Sequence, residues 1–220
     1  MIATPVCVGL AWLTLGRMLL RSSRQDLAIM VFLGLMLILY QWFYLAAVDR
    51  LGVSAATLVL VCVPPVLVAV VSAAFLRELP SPRLALALVV ALVGTALLVA
   101  RSPDAKGGST VTLAGLLLAL GWACGITVHV LVSRLIAARQ HPLRPLAIGF
   151  PIGPVAFLPV MTGRGPSFDQ HAVGWLLLAY LGVFPSALAH WTYQRGLRDV
   201  TATTASIVTL LEPLTVAGLA

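Results

Sequence analysis

The sequence predicts an all-α, polytopic membrane helix bundle, and three observations lead to this fold class. Residues of the AVILMFWYC set fill 60% of the 220 positions and only 10% are charged, against about 25% in a soluble domain. The apolar residues also gather into stretches of about 20, the length that a helix needs to cross a bilayer core. The third observation is an internal repeat, which decides how such helices are arranged.

Eight apolar stretches follow one another along the chain. Their predicted bounds are 1–20, 27–48, 53–76, 83–100, 112–136, 145–162, 172–195 and 202–220. Connections of roughly 4 to 12 residues leave no room for a soluble domain. We therefore predict a single membrane domain over residues 1–220, with a multi-pass topology in the cell (plasma) membrane. We interpret the first stretch as a spanning helix and not as a signal peptide, because no basic region precedes it.

The charge pattern predicts the orientation of the helices. The formal net charge is +7, yet the basic residues are spread through the loops, so we expect no nucleic-acid-binding face. The first, third, fifth and seventh loops hold 10 Lys and Arg residues, and the other three loops hold 4. By the positive-inside rule, the odd-numbered loops are cytoplasmic and the first helix starts outside. The cysteines at 7, 62 and 124 lie singly within helices, so we expect packing roles, no metal and no cofactor.

An internal repeat relates the second helix to the seventh and the third to the eighth. At an offset of 149 positions, identical residues pair as follows: Trp42 with Trp191, Tyr44 with Tyr193, Ala56 with Ala205, Val59 with Val208 and Pro64 with Pro213. The displacement of five helices is odd, so the two copies have opposite orientations, as in many secondary transporters. Chance similarity between Leu- and Val-rich helices is the alternative, and the matched Trp, Tyr and Pro residues argue against it.

Two inverted five-helix repeats make ten helices, of which this chain holds eight. The fifth stretch has no partner before residue 1, and the fourth has none after residue 220. We therefore expect one further helix at each end of the complete protein. Residues 1–100 and 112–220 are then the first and second repeats, both partial.

Two segments carry a family resemblance. Residues 44–100 combine a short polar turn, a mid-helix proline, Glu78 and Gly94, and residues 193–220 include the Leu-Glu-Pro triplet at 211–213. Together they resemble EamA-type permeases of the drug/metabolite transporter superfamily. The resemblance implies alternating access of two inverted repeats and export of metabolites, amino acids or drugs. The partners it implies are a small-molecule substrate, membrane lipid, a coupling proton and a second copy in a homodimer.

Glu212 is the acidic residue placed well inside an apolar run. A carboxylate at a helix centre costs about 2.5 to 3.5 kcal/mol to insert, so such a group faces protein or a watery cavity. Low dielectric favours its neutral form, which makes Glu212 a candidate proton carrier. The alternative is a structural glutamate beside Pro213 that is hydrogen-bonded by Thr209 and Thr215.

Prolines interrupt both copies of the repeat. Pro64 and Pro65 in the third helix correspond to Pro213 in the eighth, and paired interruptions of this kind point to a transporter site. The freed carbonyls could bind substrate, although a packing kink explains them equally well. Three further prolines predict an irregular sixth helix: Pro151, Pro154 and Pro159.

Polar and aromatic residues form one cluster in each copy: Gln41, Trp42 and Tyr44 in the first, and His190, Trp191 and Tyr193, followed by Gln194, in the second. We predict that they line the substrate pathway, while a belt at the membrane interface is the alternative. The GxxxG pairs at 121 and 125 and at 149 and 153 predict close helix packing.

Two other classes of protein remain open from sequence. A polytopic membrane enzyme could use Ser186 and His190, four residues apart on one helix. No GxSxG, HExxH or phosphate-binding loop accompanies them, so we expect no enzyme. A non-transporting membrane scaffold would explain the hydrophobicity but not the repeat.

The predicted topology can be tested by cysteine labelling. We expect cysteine at Ser109 to react with a membrane-impermeant maleimide in intact cells, because the fourth loop faces outward. Cysteine at Ser23 is expected to react only in inverted vesicles. The unsubstituted chain measures the background from its native thiols, and the opposite labelling pattern would show that the orientation is reversed.

Overall fold

The computed structural model describes residues 3–16, 23–77, 81–101, 112–163, 172–211 and 215. All regular structure within these ranges is helical. Three of the described helices are long and apolar enough to span a membrane: Arg24–Leu51, Leu113–Ala137 and Val173–Gly196. A helix satisfies its own backbone hydrogen bonds, which is what hydrocarbon requires of a spanning segment. The predicted all-α membrane fold is confirmed.

Nine α-helices and two π-helical segments make up the described chain. The α-helices are α1 (Ala3–Leu15), α2 (Arg24–Leu51), α3 (Val53–Val71), α4 (Pro82–Arg101), α5 (Leu113–Ala137), α6 (Leu143–Gly163), α7 (Ala172–Leu181), α8 (Ala189–Gly196) and α9 (Ala202–Val208). The π-helical segment Ser72–Leu76 continues α3, and the segment Gly182–Leu188 joins α7 to α8. The seventh predicted stretch is therefore one long helix with a widened middle.

Hydroxyl groups cap the starts of several helices. The side-chain oxygens of Ser23, Ser81, Thr112 and Thr201 each accept a hydrogen bond from the backbone N–H three residues on. Such caps satisfy one of the orphan donors of a first helical turn. Between α2 and α3 a single residue makes the turn, and this residue is Gly52 with a φ of 73°, a conformation that a glycine adopts without strain.

The helix starts repeat, to within one residue, at the offset that relates the two copies of the sequence. α2 at Arg24 and α7 at Ala172 begin 148 positions apart, and α3 at Val53 and α9 at Ala202 begin 149 positions apart. Equivalent helices also pack on each other, since α1 contacts α6 and α3 contacts α9. Both observations agree with a two-repeat architecture.

The chain forms two compact units. Unit 1 comprises Met1–Ile38 and Val132–Asp199, and unit 2 comprises Leu39–Leu131 and Val200–Ala220. Each unit draws on both halves of the sequence. The units therefore do not follow the division into residues 1–100 and 112–220.

The core of unit 1 forms where α1 lies against α6 and against the π-helical segment that follows α7. Cys7, Leu146 and Ala187 make one buried cluster, against which the partly buried Phe150 and Trp191 pack. A second cluster one turn along α1 and α6 contains Ala11, Leu143 and Ala147, and Trp191 packs on it too. The ring of Trp191 thus packs on both clusters.

The core of unit 2 lies around the junction of α2 and α3. Its buried members are Ala47, Leu51, Ala56, Leu60 and Ala119. Three of the five are alanines. Helix association in a membrane is driven by van der Waals packing, and small side chains let the helix backbones approach closely.

Two of the four glycines of the GxxxG pairs, Gly125 and Gly149, lie at close helix contacts. In unit 2, a Cβ at Gly125 would lie 2.8 Å from the Cβ of Tyr40. In unit 1, a Cβ at Gly34 would lie 2.8 Å from the carbonyl oxygen and 2.9 Å from the Cα of Gly149. Nothing lies within 4 Å of a Cβ at Gly153. The contact between α2 and α6 therefore depends on Gly34, which belongs to neither GxxxG pair.

The predicted irregular sixth helix is wrong. α6 runs without interruption over Leu143–Gly163 and passes through all three prolines. Proline already has a helical φ, and a helix can continue through it when the lost hydrogen bond is compensated locally. The widened segments lie elsewhere, at Ser72–Leu76 and at Gly182–Leu188 around Pro185.

Gly34→Ala tests the contact between α2 and α6. The new Cβ meets backbone atoms that cannot rotate away, so we expect a loss of about 1–3 kcal/mol in stability. Gly153→Ala is the matched control, because its Cβ has open space and alanine favours the helix by up to about 1 kcal/mol. Thermal unfolding of both variants in detergent measures the difference, and equal melting temperatures would show that the contact is not close.

Candidate functional site

Pro185 explains the wide turns of the long helix that α7, the segment Gly182–Leu188 and α8 form together. Proline has no N–H, so the carbonyl of Leu181, four residues earlier, loses its helical donor. The hydroxyl of Ser186 donates to that carbonyl at 2.8 Å. A neighbouring side chain thus bonds to the carbonyl that proline leaves without an α-helical donor. The helix continues through Gly182–Leu188 as a wider, π-helical coil.

His190 lies one turn after Ser186 and is hydrogen-bonded to the same π-helical segment. Its Nδ1 donates to the carbonyl oxygen of Ser186 at 2.9 Å, and its ring meets that of Phe150 edge-on, with centroids 5.3 Å apart. The Ser186 hydroxyl and the His190 imidazole therefore each bond to a backbone carbonyl. They do not form the nucleophile and base pair that an enzyme would need.

Trp191 belongs to the core of unit 1. Its ring packs on both buried clusters of that unit, and the guanidinium carbon of Arg195 lies 5.9 Å from its centroid. Tyr193 is partly exposed, while Gln194 is buried with its Nε2 3.5 Å from Oγ of the buried Ser133. The second predicted cluster is thus a packed region with polar atoms turned to protein partners.

In unit 2, the helical period separates the residues of the first predicted cluster. Tyr44 lies near Trp122 of α5, with ring centroids 6.1 Å apart. Gln41 and Trp42 are exposed, Trp42 at 58%, and Trp42 contacts only its neighbour Phe43 among the aromatic rings described, at 5.5 Å. Tyr44 therefore joins an aromatic pair, and Trp42 faces away from it.

Two residues that sequence reasoning missed lie one turn along from this pair. Tyr40 and His129 are 8% and 9% exposed, and their rings meet at 75° with centroids 5.6 Å apart. Two sequence signals could have identified them. An ionisable side chain in the middle of a spanning helix is a functional candidate by default, and Tyr40 precedes Tyr44 by four residues and so shares its helix face.

The remaining predicted site residues lie in unit 2 or outside the described residues. Pro64 and Pro65 are buried inside α3, which continues through them; the carbonyls of Leu60 and Val61 lose their helical donors. The hydroxyl of Thr209 donates to the Ser206 carbonyl at 2.6 Å. Glu212 and Pro213 lie outside the described residues, so the proposed proton carrier stays a prediction.

Positions that are equivalent in the repeat have different surroundings. Trp191 is held between two buried clusters, whereas its counterpart Trp42 is 58% exposed. The helix of the first copy is α-helical from Arg24 to Leu51, whereas the second copy contains the π-helical segment Gly182–Leu188. Two similar sequences thus have two local conformations.

Substitution of the two tryptophans tests this asymmetry. We expect Trp191→Ala to lower the free energy of unfolding by about 3 kcal/mol, because it leaves a cavity between the clusters of unit 1. Trp42→Ala removes an exposed ring, and a loss under about 1 kcal/mol is expected. Melting temperatures in one detergent compare the two variants. A larger loss for Trp42→Ala would contradict the assignment.

Comparison with known proteins gives three findings. The EamA-like transporter family matches residues 1–100 and 112–220. A protein of Bacillus subtilis (strain 168) named "Uncharacterized transporter YwfM" is 27% identical over 176 residues, which cover 80% of this chain and 58% of that protein. A solved crystal structure aligns with a TM-score of 0.77 at 22% identity over 100% of this chain and 76% of its own, which shows the fold.

The family match covers both repeats and therefore confirms the resemblance drawn from the sequence. With its long apolar helices, it identifies a multi-pass protein of the cell membrane. The chain spans less than two thirds of the length of its Bacillus relative. The chain belongs to the EamA-like transporter family.

Proposed function

We propose that the protein carries small molecules across the cell membrane by alternating access of its two repeats, as an exporter of metabolites, amino acids or drugs. Two observations support this proposal. The transporter family matches both repeats, and the copies of one helix differ in conformation at equivalent positions.

Inverted repeats explain why such a difference matters. When two copies of one fold take different conformations, exchanging those conformations opens the same site to the other side of the membrane. Trp191 packs on buried clusters and Trp42 is exposed. These equivalent positions then represent two states of the transport cycle. In the opposite access state, the exchange places Trp42 in a packed environment and releases Trp191.

The substrate pathway is proposed to follow the polar and aromatic residues within each unit. In unit 2, Tyr44 and Trp122 are partly exposed, and the buried pair of Tyr40 and His129 supplies polar groups on the same two helices. Pockets of this type combine apolar walls with few polar groups. Pro64 and Pro65 lie inside α3 of the same unit.

In unit 1, the predicted pathway residue His190 has two ring nitrogens, of which Nδ1 is hydrogen-bonded to the backbone. Because Nδ1 donates to the Ser186 carbonyl, Nε2 of the neutral ring is an acceptor. We propose that Nε2 contacts substrate when this unit opens. Trp191 and Tyr193 are the aromatic residues that the same movement would release.

Catalysis is the other function considered from sequence. Its best candidates, Ser186 and His190, are hydrogen-bonded to backbone carbonyls and support the wide helix. This arrangement gives no reason to assign a reaction, so transport is the function proposed. A homodimer stays a prediction.

Glu212→Gln in the full-length transporter tests proton coupling. Glutamine keeps the size and hydrogen bonding of the side chain but cannot ionise, so we expect proton-driven, uphill flux to fall at least tenfold while downhill exchange continues. Flux of labelled amino acids and of a fluorescent drug into inverted vesicles, with and without an imposed pH gradient, measures both.

The matched control is Asp49→Asn, which neutralises an exposed carboxylate near the end of α2 and is expected to leave coupling unchanged. Equal stimulation of wild type and Glu212→Gln by the gradient would assign Glu212 a structural role. Absence of any flux from the full-length protein would contradict transport itself.

A further inference from the structure

Three arginines from two distant segments of the sequence lie near His141 in unit 1. Arg144 lies at the start of α6, Arg195 lies in the last turn of α8, and Arg198 lies just beyond it. We call these three residues the arginine cluster. Two different loops supply it, the fifth and the seventh, and the charge pattern predicts that both are cytoplasmic.

Gln140 holds two members of the cluster in place. Its side-chain oxygen accepts from Nη1 of Arg144 at 2.5 Å, and its Nε2 donates to Oδ2 of Asp26 at 2.7 Å. Arg198 donates from Nε to the carbonyl of Ala137 at 3.1 Å and from Nη2 to that of Gln140 at 3.4 Å. Neutral backbone acceptors thus fix the guanidinium group of Arg198, so its positive charge stays available.

The third member is oriented by an aromatic ring. Arg195 is exposed and its guanidinium lies 5.9 Å from the centroid of Trp191. Neither Arg195 nor Arg198 forms an ion pair with a carboxylate in the described part of the chain. Asp199, beside Arg198, is exposed and forms no such pair either, while the nearby Asp26 accepts from Gln140.

His141 lies close to the three arginines of the cluster. His141 precedes α6, outside the spanning helices. Partial desolvation and then the charges of Arg198, Arg144 and Arg195 lower its pKa below the ordinary value of 6.5. The direction of this shift agrees with the position of His141 beside the three guanidinium groups.

An apolar surface continues from Arg195 along the same helix. Leu188, Phe184 and Leu181 precede Arg195 at steps of three to seven residues, and all three side chains are about half exposed. A ligand that combines a negative group with a long apolar chain fits both features. Free phosphate fits only the first.

We propose that the arginine cluster binds the phosphate headgroup of an anionic phospholipid of the cytoplasmic leaflet, with an acyl chain along Leu188, Phe184 and Leu181. Guanidinium groups form charge-assisted, forked hydrogen bonds with phosphate, and basic residues at the cytoplasmic surface attract anionic lipids. A bound lipid would tie the fifth loop to the seventh and so favour the conformation seen in unit 1.

Lipid titration of the purified full-length protein tests this proposal. Native mass spectrometry in neutral detergent measures binding of phosphatidylglycerol and of phosphatidylcholine. We expect the wild type to bind phosphatidylglycerol at least tenfold more tightly. Arg195→Gln combined with Arg198→Gln should lower that affinity about 25-fold, at about fivefold for each arginine, and leave phosphatidylcholine binding unchanged.

The matched control is Arg77→Gln combined with Arg83→Gln, which removes two exposed arginines of the third loop and should keep the wild-type lipid preference. Arg195→Lys with Arg198→Lys guards against misfolding, because it keeps the charge and should retain most of the preference. The proposal is overturned if both lipids bind the wild type equally, if the control pair loses as much affinity, or if inorganic phosphate in large excess displaces the lipid.

Discussion

The need to satisfy backbone hydrogen bonds in hydrocarbon governs the rest of this structure. Apolar helices meet this need without water, and every departure from a regular helix must be compensated by a nearby group. At Pro185 the hydroxyl of Ser186 donates to the carbonyl of Leu181, which has no α-helical donor. The widened segment is one of the two surfaces on which α1 packs, together with α6.

Close approach between helices is the second requirement, and glycine provides it. Gly34 lets the backbones of α2 and α6 meet in unit 1, and Gly125 receives Tyr40 in unit 2. The position of Tyr40 in turn brings its ring to His129. A packing residue and a candidate functional pair are therefore linked, since a larger side chain at Gly125 would displace the tyrosine from α5.

The sequence predicted the fold because hydropathy and repetition are properties of the chain itself. The offset between Trp42 and Trp191 located the repeat, and the helix starts follow the same offset to within one residue. The sequence did not predict the different surroundings of these two residues. Tertiary packing determines those surroundings, whereas the repeat pattern makes the two positions equivalent. The Tyr40–His129 pair and the wide turn at Pro185 were missed for the same reason, and the prolines of α6 misled because proline alone does not decide where a helix departs from regularity.

The central claim is that the two repeats hold different conformations and exchange them. Fluorine NMR of 5-fluorotryptophan at Trp42 and Trp191, assigned by substitution of each residue, tests it most directly in the full-length protein with a water-soluble paramagnetic reagent. We expect two exchanging signals for each position, with the exposed state of one tryptophan coinciding with the protected state of the other. A single, non-exchanging environment at both positions, with transport intact, would contradict the account.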